Sequence, residues 1–115
     1  MVRRKDERTI DVKKMFNGAG EARLVRIRED PEELYGKGRV FSHMILEKGC
    51  EVGWHIHKGD GEIYYLLKGQ GQYNDNGVPV TLYPGDVAFV DDGEGHSLIN
   101  LCDEPLEAIA LVLYK

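Results

Sequence analysis

The sequence predicts an all-β protein, a sandwich or barrel of short strands, on three observations. From residue 22 onward apolar residues alternate or run in short β-branched stretches. Nearly every stretch is closed by glycine, proline or an Asn/Asp turn. No segment sustains helical periodicity long enough to organise a core. The 115 residues suit one domain, 1–115, without linker, repeat or second unit.

At the start, Arg3, Arg4 and Lys5 are diluted at once by Asp6 and Glu7, which reads as a frayed terminus. "VKKMF" (12–16) is expected to form a helical turn, and "DPEELYG" (30–36) another, with Asp30 capping and Pro31 at the first position. Strands are expected in "ARLVRIRE", "VFSHMILE", "EIYYLLKG", "GQYND", "VPVTLY", "DVAFVDD", "HSLINL" and "LEAIALVLYK". Asn76-Gly77 signals a type I′ hairpin, because both residues must accept positive φ. "YPGD" (83–86) is a second tight turn, with Pro84 pre-setting φ. The last segment is apolar on both faces over Ala108–Leu113, so it is either central in a sheet or meets a second chain.

Composition narrows the function classes. A net charge of −5 and a pI near 5.3 argue against a nucleic-acid partner, which needs a basic face. No apolar run approaches the roughly 18–20 residues that span a bilayer, and no apolar stretch follows the first basic residues as in a secretory signal. Cys50 and Cys102 lack C-x-x-C spacing and read as free thiols in a reducing compartment, so a cytoplasmic protein without a membrane partner is expected.

The chemistry concentrates in "GWHIHKGDGEIYYLLKG" (53–69). Residues i and i+2 of a strand share a face, so His55 and His57 project together. The "KGDG" turn lets a hairpin bring Glu62 back beside the two imidazoles, giving a two-His, one-carboxylate cluster typical of open divalent metal sites. A fourth donor would come from His96, after the turn "DDGEG", or from His43, which lies mid-strand with no turn to aim it. Isolated strand histidines are more often structural than ligating. It is the glycine-framed combination that points to a metal.

That combination resembles a family pattern. "GCEVGWHIHKGDGEIYYLLKG" (49–69) is similar to the first cupin motif, and "GDVAFVDDGEGHSLIN" (85–100) to the second, with Gly85, Gly93, His96 and Asn100 in place. Asp91 departs from it, standing where the pattern has proline, so that turn is expected to be less rigid. The resemblance implies a double-stranded β-helix, the jelly-roll cupin barrel, with His55, His57, Glu62 and His96 holding one divalent transition metal inside. His43 then falls to a structural or interface role, with lining of the pocket as the alternative.

Such a mixed N/O set suits Mn²⁺ or Fe²⁺ first, with Ni²⁺ or Zn²⁺ able to bind. On an octahedral ion it leaves two adjacent positions for a small-molecule ligand, for which a small dicarboxylate is a candidate. Tyr64, Leu66, Leu98 and Asn100, in phase with the donors, are candidates to line the pocket. The preceding strand contributes either Ser42 and Met44 or Phe41 and His43. Trp54, out of phase, is expected outside or at the rim. No arginine or lysine lies in phase beside the donors within either motif, and Lys58 is expected to face solvent, so ligand binding should depend on the metal and not on a basic pocket.

The family holds dioxygenases, oxalate oxidases and decarboxylases, isomerases and non-catalytic binding domains. A metal-dependent enzyme on a small oxygen-rich or enolisable substrate is the leading expectation, as a dioxygenase-type oxidoreductase or a carboxy-lyase. A binding or sensing module is the alternative, and an idle structural metal the third. Oxalate decarboxylases carry an arginine three residues before the first ligand histidine, where this chain has Val52, and an acid-bearing lid beyond the second motif. Efficient decarboxylation by that route is therefore not expected. Pairing through sheets, common among cupins, implies a two-fold homodimer.

Overall fold

The computed structural model describes residues 1–29 and 31–115, and places ten strands in two antiparallel sheets. The strands are β1 (Ile10–Lys13), β2 (Ala22–Arg26), β3 (Gly38–Leu46), β4 (Glu51–Ile56) and β5 (Asp60–Lys68), then β6 (Gly71–Asp75), β7 (Val78–Leu82), β8 (Val87–Val90), β9 (Gly95–Ile99) and β10 (Leu106–Tyr114). One sheet has the order β1-β2-β3-β10-β5-β8, the other β4-β9-β6-β7. This is the two-sheet jelly-roll that the motif resemblance implies.

Strand alternation builds the interior. Along β10, Leu106, Ala108, Ala110 and Val112 are buried while Glu107, Ile109 and Leu111 turn to the opposite face. β10 is central, paired with β3 on one side and β5 on the other. The first of the two alternatives for this segment therefore holds. On β3 the buried residues are Ser42 and Met44, so Phe41 and His43 face outward.

Both turn expectations hold. Asn76 (φ 49°) and Gly77 (φ 101°) join β6 to β7 with positive φ at both centres. In "YPGD", Gly85 has φ 94° and the Asp86 N–H donates to Tyr83 O at 3.0 Å, as a type II turn requires. "DPEELYG" forms a single 3₁₀ turn, Glu32–Leu34; the capping expected of Asp30 lies outside the described residues.

Two expectations near the start fail. "VKKMF" is not helical: Ile10–Lys13 is the edge strand β1, paired with β2, and the chain then runs on as a strap. Val12 and Ile10 alternate with polar residues there, a period-2 signal too short to outweigh the helix-compatible lysines. Nor is the terminus frayed. The Arg3 guanidinium donates to both carboxylate oxygens of Glu33 at 2.9 Å, a bidentate pair that ties it to the 3₁₀ turn.

The strap from Lys14 to Gly18 crosses one end of the barrel. Phe16 (φ 52°) and Asn17 (φ 59°) are consecutive left-handed residues, a conformation that costs non-glycine residues on the order of 1 kcal/mol each. What holds them is the close approach of two glycines. Gly53 N–H donates to Met15 O at 3.0 Å, and a Cβ on Gly53 would collide with the Phe16 carbonyl oxygen. Met15 bridges Val52 in parallel, locking the strap to β4.

Candidate metal centre

His55 lies on β4 and His96 on β9, directly opposite each other in the ladder. His57 follows β4 by one residue, its N–H donating to Glu94 O (2.9 Å) and its carbonyl accepting from Gly93 N–H (2.7 Å). These bonds stitch the turn of one motif to that of the other. The Asp91 departure is accommodated there, because the Asp91 N–H, which proline would lack, donates to Glu94 Oε1 at 2.8 Å. Glu62 comes from β5, in the other sheet. β4 and β5 therefore do not pair as a hairpin; Glu62 meets the imidazoles across the sandwich.

The four side chains converge, with one donor atom from each all lying within 4.8 Å of one another. The three histidine Nε2 atoms are 3.1, 3.1 and 3.2 Å apart, and Glu62 Oε1 is 3.1 Å from His96, 3.3 Å from His57 and 3.9 Å from His55. Donors about 2.1 Å from one ion lie roughly 3.0 to 3.4 Å apart, so these are the separations of one coordination sphere.

The hydrogen bonds behind the rings fix what the converging atoms are. His55 Nδ1 is 2.8 Å from Gly53 O and His57 Nδ1 is 2.6 Å from Asp60 Oδ1, both acceptors, so each Nδ1 carries the proton and each Nε2 presents a lone pair. His96 Nδ1 bonds the Tyr73 hydroxyl at 2.8 Å, leaving its Nε2 free to do the same. Lone pairs aimed at one another and at a carboxylate repel unless a cation lies among them. The donor set fits a divalent metal held by His55, His57, Glu62 and His96.

Electrostatics agree. In the metal-free protein burial alone would raise the Glu62 carboxyl, but hydrogen bonds from imidazoles that become protonated at Nε2 outweigh it and hold the group well below the usual carboxylate range. The Glu62 carboxylate, with Asp60 behind, raises His57 despite its burial. His96 is lowered, chiefly by burial. Asp60, resisted by its own burial, is held low by Arg39, whose Nε donates to Oδ2 at 2.8 Å, and by His57.

A cavity of about 250 Å³ opens beside the donors. Met44 and Tyr64 line it, Tyr64 stacked on His96 with centroids 5.1 Å apart. Leu66 and Leu98 are buried but belong to the hydrophobic core beyond it. Asn100 is structural, its Nδ2 donating to Leu46 O and Glu104 O at 2.9 Å and its Oδ1 accepting from the Cys102 N–H at 2.9 Å. His43 faces outward and bonds Glu107 at 2.8 Å, away from the donors, while Trp54 and Lys58 are exposed as expected.

The expectation of a cavity without basic residues does not hold. Lys13 and Lys14 from β1 and its continuation, and Arg39 from β3, line it, and Phe16 stacks on His55 at 3.8 Å. None of these belongs to either motif, and no local signal in the sequence marks them. Asp60 and Tyr73 were also missed, although the His57-x-x-Asp60 spacing in a turn is a readable hint of a carboxylate supporting a ligand imidazole.

A family profile described as the cupin domain matches residues 42–113. The chain belongs to the cupin family. Among proteins this cupin is similar to, an oxalate-binding protein of Thermotoga maritima is 40% identical over 114 residues, covering 98% of this chain and 93% of that one. A crystal structure of a predicted oxalate decarboxylase, also from Thermotoga maritima, superposes with a TM-score of 0.92 at 39% identity over 100% of both chains. The Cnp3 cupin domain of Schizosaccharomyces pombe shares the fold alone, with a TM-score of 0.71 at 13% identity over 93% of this cupin and 66% of that chain. Among the described residues no helix is long and apolar enough to cross a membrane.

Proposed function

We propose that this cupin binds a small oxygen-rich acid, oxalate or a close relative, by chelation to a divalent transition metal, Mn²⁺ or Fe²⁺ before Ni²⁺ or Zn²⁺. The observation that carries this reading is the convergence of three imidazole lone pairs and one carboxylate beside a small cavity. The Thermotoga maritima comparisons, one described as oxalate-binding and the solved structure as a predicted oxalate decarboxylase, support it. When bound, the ion supplies Lewis acidity and, for Mn or Fe, redox capacity at two open positions. The chain's own residues orient and enclose: Asp60 and the Gly53 carbonyl fix the tautomers of His57 and His55, Tyr73 holds the His96 ring, Tyr64 and Phe16 brace His96 and His55, and the aliphatic wall excludes water.

Turnover, as a metal-dependent dioxygenase or a carboxy-lyase, extends this reading. The alternative is a non-catalytic binding or sensing role, favoured by one feature of the lining. Among the described residues its only carboxyl group is Glu62, which belongs to the donor set, so none of them offers a free carboxylic acid to hand a proton to a reacting carbon. Calorimetric titration of oxalate into Mn²⁺-loaded and metal-free protein tests the binding claim. Tight binding to the loaded form alone is expected, and equal binding to both overturns it. Turnover with dioxygen, if catalysis occurs, is expected with Mn²⁺ or Fe²⁺ and absent with Zn²⁺, which has no redox chemistry.

The same reading includes a two-fold homodimer in the cytoplasm, where Cys50 and Cys102 would remain free as they are here. The outer face of the larger sheet supports the dimer. Ile63 and Tyr65 of β5 lie opposite Phe89 and Val87 of β8, and with Leu67 and Leu113 they form an exposed apolar patch in cross-strand register. Sedimentation at micromolar concentration should give twice the chain mass, and Phe89→Asp should give a monomer with its metal retained. A wild-type monomer would refute the pairing.

A further inference from the structure

We propose that Arg39, with Lys13 and Lys14 at the cavity mouth, receives an anionic group on the side of the ligand that faces away from the metal, so that this cupin selects dicarboxylates over singly charged chelators. The inference deepens the chelation reading above and rests on it.

The distribution of charge carries the argument. The chain is acidic overall, at −5, yet three cations line this one cavity, and among the described residues the only carboxyl group in its lining is Glu62. Glu62 faces the three imidazoles, so it does not neutralise the mouth. The lining residues that reach solvent most freely are Lys13, Lys14 and Phe16. An entering molecule passes the positive rim before it reaches the donors, and such focusing favours anions.

Arg39 is the residue built for recognition. Its Nε donates to Asp60 Oδ2 at 2.8 Å, while Asp60 Oδ1 accepts from His57 Nδ1 at 2.6 Å. One buried carboxylate thus sets both the plane of the guanidinium and the orientation of a donor imidazole. Among the described residues the two terminal nitrogens of Arg39 have no protein partner. A guanidinium fixed through Nε presents its remaining N–H groups as a fork suited to a carboxylate. Lys13 also lacks a partner among the described residues, and Lys14 Nζ donates to Gly18 O at 2.8 Å, which holds it on the strap.

Size completes the assignment. About 250 Å³ is below the usual range of pockets for drug-sized ligands, so the occupant has few carbons. An oxalate chelated through one oxygen of each carboxyl group presents its other two oxygens outward, where a guanidinium fork can take both. Oxamate has the same skeleton with one carboxylate replaced by a neutral amide, and therefore isolates the charge.

The test is calorimetric titration of oxalate and oxamate into the Mn²⁺-loaded wild type, Arg39→Gln and Arg39→Lys, with elemental analysis of each. Arg39→Gln is expected to lower the oxalate-to-oxamate affinity ratio about tenfold or more, Arg39→Lys less, with the metal content unchanged. Lys13→Ala with Lys14→Ala should weaken oxalate several-fold and flatten its salt dependence. An unchanged ratio in Arg39→Gln overturns the proposal. So does a loss shared equally by both ligands together with loss of metal, which would make Arg39 a support for His57 only. If wild-type protein binds oxalate equally with and without Mn²⁺, the chelation reading itself fails, whatever Arg39 does. A wild type that binds oxamate as tightly as oxalate refutes the proposal without reference to any variant.

Discussion

His55→Ala, His57→Ala and His96→Ala are each expected to lower metal affinity by on the order of 100-fold, while His43→Ala leaves it unchanged. Structural four-ligand sites in small domains bind with roughly 10–16 kcal/mol, so one donor is worth about 3 kcal/mol, or two decades. His43 is a fair control because it bonds Glu107 on the outer face. Acid should act as a milder version of the same change. His57 is raised by Glu62 and Asp60, so protons compete for its Nε2 above the ordinary imidazole range, and the ion should leave as pH falls towards 5. Glu62 is held low and stays charged throughout, so it does not drive the release. In metal-free protein the raised His57 contributes stability that is present below its unfolded pKa and lost as pH rises through the folded one. Glu62 contributes the opposite way, fully above its unfolded pKa and lost only in strong acid. Elemental analysis after dialysis at stepped pH checks the release. Equal metal loss in His43→Ala, or full retention at pH 4, would overturn the ligand assignment.

Asn100→Ala is expected to cost about 3 kcal/mol of stability, with little effect on the residual metal affinity of the folded fraction. The residue is fully buried, and its side chain serves two carbonyls and one amide around the turn before β10. Its removal leaves Leu46 O in the core and Glu104 O beside it without this donor, at roughly 1 kcal/mol or more for each lost bond. For a domain of this size the midpoint should fall by about 10 °C. Calorimetric melting of the metal-free protein measures it. A fall of under 2 °C would show that the turn is held by its backbone bonds, Gly49 N–H to Asn100 O and Asn100 N–H to Cys50 O, alone.

The contrast between Asn100 and Glu62 shows what a strand pattern reveals and what it hides. Alternation correctly put Tyr64, Leu66, Leu98 and Asn100 on the inner face. It says nothing of depth along the barrel. Leu66 lies four residues beyond Glu62, about 13 Å further along the strand, and so belongs to the core and not to the cavity. The convergence of the four candidate donors was legible because ligand chemistry demands particular residue types, and glycine turns aim them. Arg39, Lys13 and Lys14 were not, because their meeting depends on β1 and β3 arriving at one end of the barrel, a long-range outcome with no local spacing. β1 itself was misread because two lysines flanked by Val12 and Met15 fit a helical turn as well as a strand, and only pairing with β2 decides.

The strap also divides labour along the chain. Every predicted donor to the ion lies between residues 55 and 96, whereas the exposed residues at the cavity entrance lie within Lys13–Phe16. The charge of Lys13 and Lys14 can therefore vary without disturbing the ion, provided Phe16 keeps its stack on His55 and Gly18 and Gly53 keep their contact. A lineage built on this plan could exchange one clientele of acids for another by editing a handful of residues ahead of its second strand, and inherit the reactive centre intact.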